Sequence, residues 1–185
     1  MSVDLSRFFV DNVGLKKDPF ISKISHYQYT PTSAGNLAIT PVDLNNSIVL
    51  MKAYLKADTQ YSFDFYSAGC YLSANNQVTI FSSLSTYLYS PQRITVIEFN
   101  PAMIKSLQRG NHTVAGTSGL VDPTTITINA VNKDKCLVFV NAWRSNDKFI
   151  MSYEARLKSN TELDIYHWAP SQGTGIIPYQ IIEFY

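Results

Sequence analysis

Two glutamates stand in the same short context. Glu98 closes Ile94-Thr95-Val96-Ile97-Glu98-Phe99, and Glu183 closes Tyr179-Gln180-Ile181-Ile182-Glu183-Phe184. A carboxylate beside apolar residues needs a hydrogen-bonding partner or a place at a rim. The chemical reading is a general acid or a metal ligand. The structural reading is a Glu at the rim that accepts a backbone N–H or an Arg. The chemical reading lacks company, because no His, Asp or Cys recurs with the Glu in both places. His26, His112 and His167 occur in unrelated contexts. Gly116-Thr117-Ser118-Gly119 lacks the strand-to-helix elbow of a nucleophilic serine. Gly110, Gly116 and Gly119 are too irregular for a phosphate loop. A glycan hydrolase would need two acids converging in a cleft, and Glu154 with Asp164 is the pair it would use. The chain is therefore read as a non-enzyme, with no catalytic residue, cofactor or metal site expected.

Binding is the better-supported chemistry. Trp143 stands beside Arg144, Asn146 and Asp147, and His167 and Trp168 enter the Gly-containing stretch 169–175. An exposed indole with amides and carboxylates nearby can stack on a sugar ring while the polar groups read its hydroxyls. The competing reading places both Trp in a core or an interface, the commoner fate of large aromatics.

The elements that must position these groups are written twice. Leu72, Asn75, Val78, Ile80 and Phe81 align without a gap on Leu157, Asn160, Leu163, Ile165 and Tyr166. Further back the register shifts by four residues. There Val42, Ser47, Val49 and Ala53 align on Val131, Cys136, Val138 and Ala142. A long period with one confined insertion is the mark of a duplicated unit. Strands are expected over 37–42, 48–55, 61–72, 78–82 and 93–99, and again over 125–131, 136–143, 149–157, 163–168 and 179–184. Turn residues such as Asp43-Leu44-Asn45-Asn46 and Asn132-Lys133-Asp134-Lys135 separate them, as in antiparallel hairpins. The expected fold is all-β: two tandem antiparallel β-sandwich-like modules, 33–100 and 124–185. A short helix joins them within a linker over 101–123, capped by Asn100 and Pro101, with Met103, Ile104 and Leu107 on one side and Gly110 as its stop.

Residues 1–32 lie outside the repeat and form an N-terminal arm. Phe8, Phe9 and Phe20 on that arm either pack back on their own chain or dock on a neighbouring subunit. Each repeated unit has about 65–70 residues and is marginal alone, so the copies should pack on each other or on partners. The 185-residue chain is 45% hydrophobic, with twelve Tyr and ten Phe, and carries a net charge of +1. That charge supplies no basic face for nucleic acid. The first residues lack the pattern of a signal peptide, and no apolar run reaches membrane-span length. Cys70 and Cys136 are expected as buried thiols without a disulfide, and the Cys and His spacing does not suit structural zinc.

The order Thr125-Ile126-Thr127-Ile128-Asn129, Lys135-Cys136-Leu137-Val138, Leu157-Lys158-Ser159-Asn160-Thr161-Glu162-Leu163 and the closing Tyr179–Phe184 run resembles the small β-modules of tail, fibre and other virion proteins of tailed bacteriophages. The resemblance covers the second copy well. The first is more degenerate, with Arg93-Ile94-Thr95 in place of Pro178-Tyr179-Gln180, and the N-terminal arm is not covered. It implies a structural virion component made in the host cytoplasm. Self-association is implied, as a trimer or another cyclic oligomer, with other virion proteins as partners. Such modules serve as fibre tips, baseplate or tail decorations and capsid attachments; the alternative here is a fibre tip that recognises a bacterial surface glycan through Trp143 and the 169–175 loop.

Overall fold

The computed structural model describes residues 19–30, 34–52, 68–82, 92–114, 119–120, 123–141, 143–144, 153–169 and 175–185. All of the regular structure here is antiparallel β, apart from two single turns of 3-10 helix. The first unit contains β1 (Ile21–Tyr29), β2 (Gly35–Ala38), β3 (Ser47–Lys52), β4 (Ala68–Ala74), β5 (Gln77–Ser82) and β6 (Gln92–Phe99). The second contains β7 (Ile104–Val114), β8 (Gly119–Leu120), β9 (Thr124–Thr127), β10 (Cys136–Val140), β11 (Trp143–Arg144), β12 (Tyr153–Leu157), β13 (Glu162–Ala169) and β14 (Gly175–Phe184).

The pairing scheme occurs twice. β6 lies between β1 and β3, and β14 lies between β7 and β10. β5 lies between β2 and β4, and β13 between β9 and β12. The two-residue strands β11 and β8 lengthen the second unit's sheets along β14 and β13. Loop hydrogen bonds repeat as well. Val42 N–H donates to Asn75 O at 2.8 Å, and Val131 N–H donates to Asn160 O at 2.8 Å. Ile39 to Asn76 at 2.9 Å is matched by Ile128 to Thr161 at 3.0 Å. The Asx turn in which Asp43 Oδ1 accepts Asn45 N–H returns with Asn132 and Asp134.

Alternation decides what each strand buries. In β6, Ile94 and Val96 enter a core that also takes Val49 from β3 and Cys70, Leu72, Val78 and Ile80 from the other sheet. In β14, Ile177 and Ile181 do the same with Leu163 and Ile165. The opposite faces of these two central strands are also apolar. Ile97 and Phe99 of β6 meet Ile182 and Phe184 of β14 in a third core, with Ile48, Leu50, Ile104, Leu107 and Phe139. This third core joins the units. Phe20 sits inside it, its ring 5.6 Å from Phe99 and 5.0 Å from Phe184. Of the two readings of the leader aromatics, Phe20 therefore follows the one that packs on its own chain. Phe8 and Phe9 fall outside the described residues. Residues Ile21–Tyr29 are the outer strand of the first unit and not part of a separate arm.

The expected helix after Asn100 is not formed. Its cap is real: Asn100 Oδ1 accepts Ala102 N–H at 3.0 Å and Pro101 opens the turn. The turn lasts only through Met103, and Ile104 is already extended (φ −100°, ψ 120°). Residues from Ile104 to Val114 then pair along β14 from Phe184 back to Gly175. A helix there would leave one whole edge of β14 without backbone partners, a cost that weak helix propensity cannot offset. Gly110, read as a helix stop, is a mid-strand residue opposite Tyr179. A Cβ at Gly110 would collide with the Tyr179 ring, so the glycine makes room for the aromatic to lie across the strand. The stretch 104–114 thus belongs to the second unit and not to a linker.

Ile182 is fully buried between the units. Ile182→Ala should cost about 3 kcal/mol of unfolding free energy in urea titrations, the usual range for deleting a buried Ile side chain. A loss under about 1 kcal/mol would mean that this face is not a packed core.

Candidate functional site

The third core leaves the outer edge of β3 facing the second unit, and polar side chains close it. The Gln180 side chain stands on the apolar inter-unit face of β14 and is buried. Its amide oxygen accepts Val49 N–H at 3.0 Å and its amide nitrogen donates to Val49 O at 2.8 Å. Asn141 Nδ2 donates to the same carbonyl at 3.0 Å and to Cys70 O at 3.1 Å. Arg109 donates through Nη2 to Ser47 O. An edge strand needs such partners when it is buried, since unpaired backbone groups there are costly.

Two clefts open along this junction. One of about 160 Å³ is lined by Tyr71, Leu72, Arg109, Gly110, Asn111, Tyr179 and Gln180. The other, of about 390 Å³, is lined by Asp43, Asn45, Asn46, Pro101, Ile104, Lys105, Ser106 and Leu107. The smaller one has the more distinctive chemistry. Burial pushes the Arg109 guanidinium down to about 10, and the Asp43 charge opposes that shift. Arg109 Nε is buried without a hydrogen-bond partner. Burial also pushes the Tyr179 phenol up, so its hydroxyl stays neutral. Tyr71 is fixed by stacking on Phe81, with centroids 5.1 Å apart and planes at 24°.

The repeated glutamates take the structural role. Glu183 is buried, 1% exposed, and its carboxylate accepts Lys105 Nζ at 2.7 Å, Ser106 Oγ at 3.0 Å and Asn132 N–H at 2.9 Å. Glu98 is paired with Lys23 at 3.3 Å. In both units the partner strand bulges at this point. Lys23 stands opposite Glu98 with Ser22 as the extra residue, whereas Ser106 stands opposite Glu183 with Lys105 as the extra residue. The cation has moved by one position and the pairing has survived. The Lys105 hydrogen bond leads in holding Glu183 below the usual carboxylate range, against the opposing effect of burial.

The other residues singled out in the sequence are not all brought together. Trp143–Arg144 pairs with Ile176 and Gly175, and the backbone of β11 lies against β4 and β5 of the first unit. Trp168 pairs with Leu120 and His167 with Tyr153. Asn146 and Asp147 lie outside the described residues, as does Ser118. Glu154 and Asp164 share the outer face of β12 and β13, yet neither lines a junction cleft. Asp164 instead accepts Thr125 Oγ1 at 2.7 Å. Cys70 is fully buried and Cys136 is half-buried, its thiol donating to Asn132 O at 3.1 Å; both are free thiols. Among the described residues no group of three or more His, Cys, Asp or Glu could hold a metal, and no helix is long and apolar enough to cross a membrane. Sequence reasoning missed Arg109, Gln180 and Tyr71, because each acts across the unit boundary. The one available signal was Gln180, a polar residue on the same face of the closing strand as Ile182 and Phe184. No protein-family model, curated protein or solved structure matches this chain.

Glu183 sets a pH dependence. Its folded pKa is depressed, so it contributes stability above the ordinary carboxylate value and loses that contribution as pH falls through the folded value. Glu183→Gln should lower stability at pH 7 by about 1–2 kcal/mol, since Lys105 stays exposed to solvent, and flatten the acid side of the stability curve, read by urea titrations from pH 7 to pH 3. An unchanged acid slope would show that the carboxylate is not held this way.

Proposed function

We propose that this chain is a non-enzymatic structural component of a tailed-phage virion, working through self-association and contacts with other virion proteins. The observation that carries the reading is the closing Tyr/Ile–Glu–Phe strand, written twice and resembling the module-closing strand of such proteins. Each unit is read as a small β-sandwich, since its own core draws side chains from both of its sheets. Architecture of this kind, with polar chemistry spent on holding units together, suits a building block better than a catalyst.

Surfaces for assembly remain after the units have joined. Ile24 and Leu137 are 50% and 49% exposed, and Tyr185 is 71% exposed. Ile24 lies on β1 and Leu137 on β10, both outer strands of their sheets. Outer strands with exposed apolar residues are natural seats for further copies or neighbouring proteins, and cyclic closure is the usual outcome. Multi-angle light scattering behind size exclusion should return a multiple of the 20.8 kDa chain mass. Leu137→Glu together with Ile24→Glu should shift it toward monomer while leaving the melting temperature within about 4 °C, as for surface substitutions. A monomer at all concentrations, with no retention on particles, would overturn the reading.

A second reading is a glycan-binding tip, favoured by the chain path that brings Arg144 opposite Gly175, directly after the 170–174 segment that follows Trp168 and Ala169. Trp143→Ala should then abolish retention on host cells with little change in melting temperature. A large stability loss instead would mark Trp143 as a packing residue.

A further inference from the structure

The smaller junction cleft is chemically unlike the rest of the boundary between the units. Two other polar side chains described on that boundary are matched. Gln180 and Asn141 spend their amides on backbone groups of β3 and β4. Arg109 is only partly matched, although the Asp43 charge acts on it. One of its N–H groups serves Ser47 O, Nε has no partner, and no carboxylate among the described residues forms an ion pair with it. A largely desolvated cation is costly unless an anion reaches it. The side chain that occupies the equivalent place in the first unit is His26, which faces Thr95 as Arg109 faces Gln180. His26 is exposed and bonds Thr95 Oγ1 at 3.1 Å. The half-buried cation is therefore a property of the junction, not of the repeated fold.

Around Arg109 the cleft offers two phenols and the Asn111 amide, the Gln180 amide being spent on Val49. Tyr71 is held by its stacking on Phe81, so an aromatic wall is already ordered. Tyr179 lies across Gly110, and no side chain at that position competes for the space. Asn111 is exposed at the mouth. A volume of about 160 Å³ is below the range that takes a drug-sized ligand, which leaves room for one ring. A ring with C–H groups on its face, hydroxyls on its edge and one carboxylate matches an aromatic wall, an amide and a guanidinium together.

We propose that this cleft binds a single carboxylate-bearing sugar unit, with Arg109 taking the carboxylate, Tyr71 the ring and Asn111 a hydroxyl. The residues it uses are not those of the glycan-tip reading. It rests on the junction geometry alone, so its fate is separate from that of the assembly reading.

The test is an amide NMR titration of the full chain with sodium glucuronate, with glucose and sodium acetate as controls. Saturable shifts are expected at Tyr71, Gly110 and Asn111 with glucuronate, and none with glucose at the same concentration. Loss of the charge-assisted contact in Arg109→Gln should weaken binding about tenfold or more. Arg109 also ties the units together, so Asn111→Ala serves as the variant that keeps the fold. It should weaken glucuronate binding at an unchanged melting temperature. Absence of saturable shifts with glucuronate would overturn the proposal and leave Arg109 as a strut to Ser47. Acetate producing the same shifts at the same concentration would also overturn it, because the cleft would then read a carboxylate and no sugar.

Discussion

The structure depends on two strands that are apolar on both sides. β6 and β14 each give one face to the core of their own unit and the other to the boundary between units. A strand buried on both faces cannot sit at the outside of a small domain. Neither unit can satisfy its central strand alone, and back-to-back packing of the two sheets is the arrangement that covers both. Ile97, Phe99, Ile182 and Phe184 are the residues that impose this, and Phe20 fills the space beside them.

The packing is not symmetric, although the topology is. Ile48 of β3 is fully buried in the shared core, while Leu137, its counterpart on β10, is half exposed. Leu107 of β7 packs into that core, while Ile24, its counterpart on β1, does not. One diagonal of the boundary is tight and the other is open. The polar struts follow the tight diagonal: Gln180, Asn141 and Arg109 all reach β3 or the neighbouring β4, and all come from the second unit. The first unit presents backbone and the second presents side chains. One pairing pattern thus carries a side-chain half and a backbone half.

Much of this was legible in the residues. The strands and their order follow from period-two alternation and from turn residues such as Asn75-Asn76 and Asn132. The repeat itself announced that one pairing scheme would occur twice. The strand from Ile104 to Val114 was not legible, because Asn100-Pro101 is a genuine cap signal and Met103, Ile104 and Leu107 fit a helical spacing. Local propensity lost there to the unpaired edge of β14, a partner more than 60 residues away along the chain. The junction cleft was illegible for a related reason. Tyr71, Arg109 and Gln180 are unremarkable one at a time, and only the third core brings them together. The repeated Glu was read as a rim acceptor for a backbone N–H or an Arg; Glu183 does accept Asn132 N–H, but it is buried, and Lys and Ser supply the other contacts.

The Gly110–Tyr179 pair has a consequence for how the two halves can change. In the first unit the same cross-strand site holds Tyr27 opposite Ile94, so the ring has switched sides. Exchange of β1 and β7 alone would set two phenols against each other in one half and leave a hole against Ile94 in the other. It would also carry each lysine to the wrong side of its bulge. Tandem duplicates are prone to recombine, losing or gaining a copy. Here a crossover that splits an outer strand from its central strand yields a misfit, so each outer strand is fitted to the central strand of its own unit.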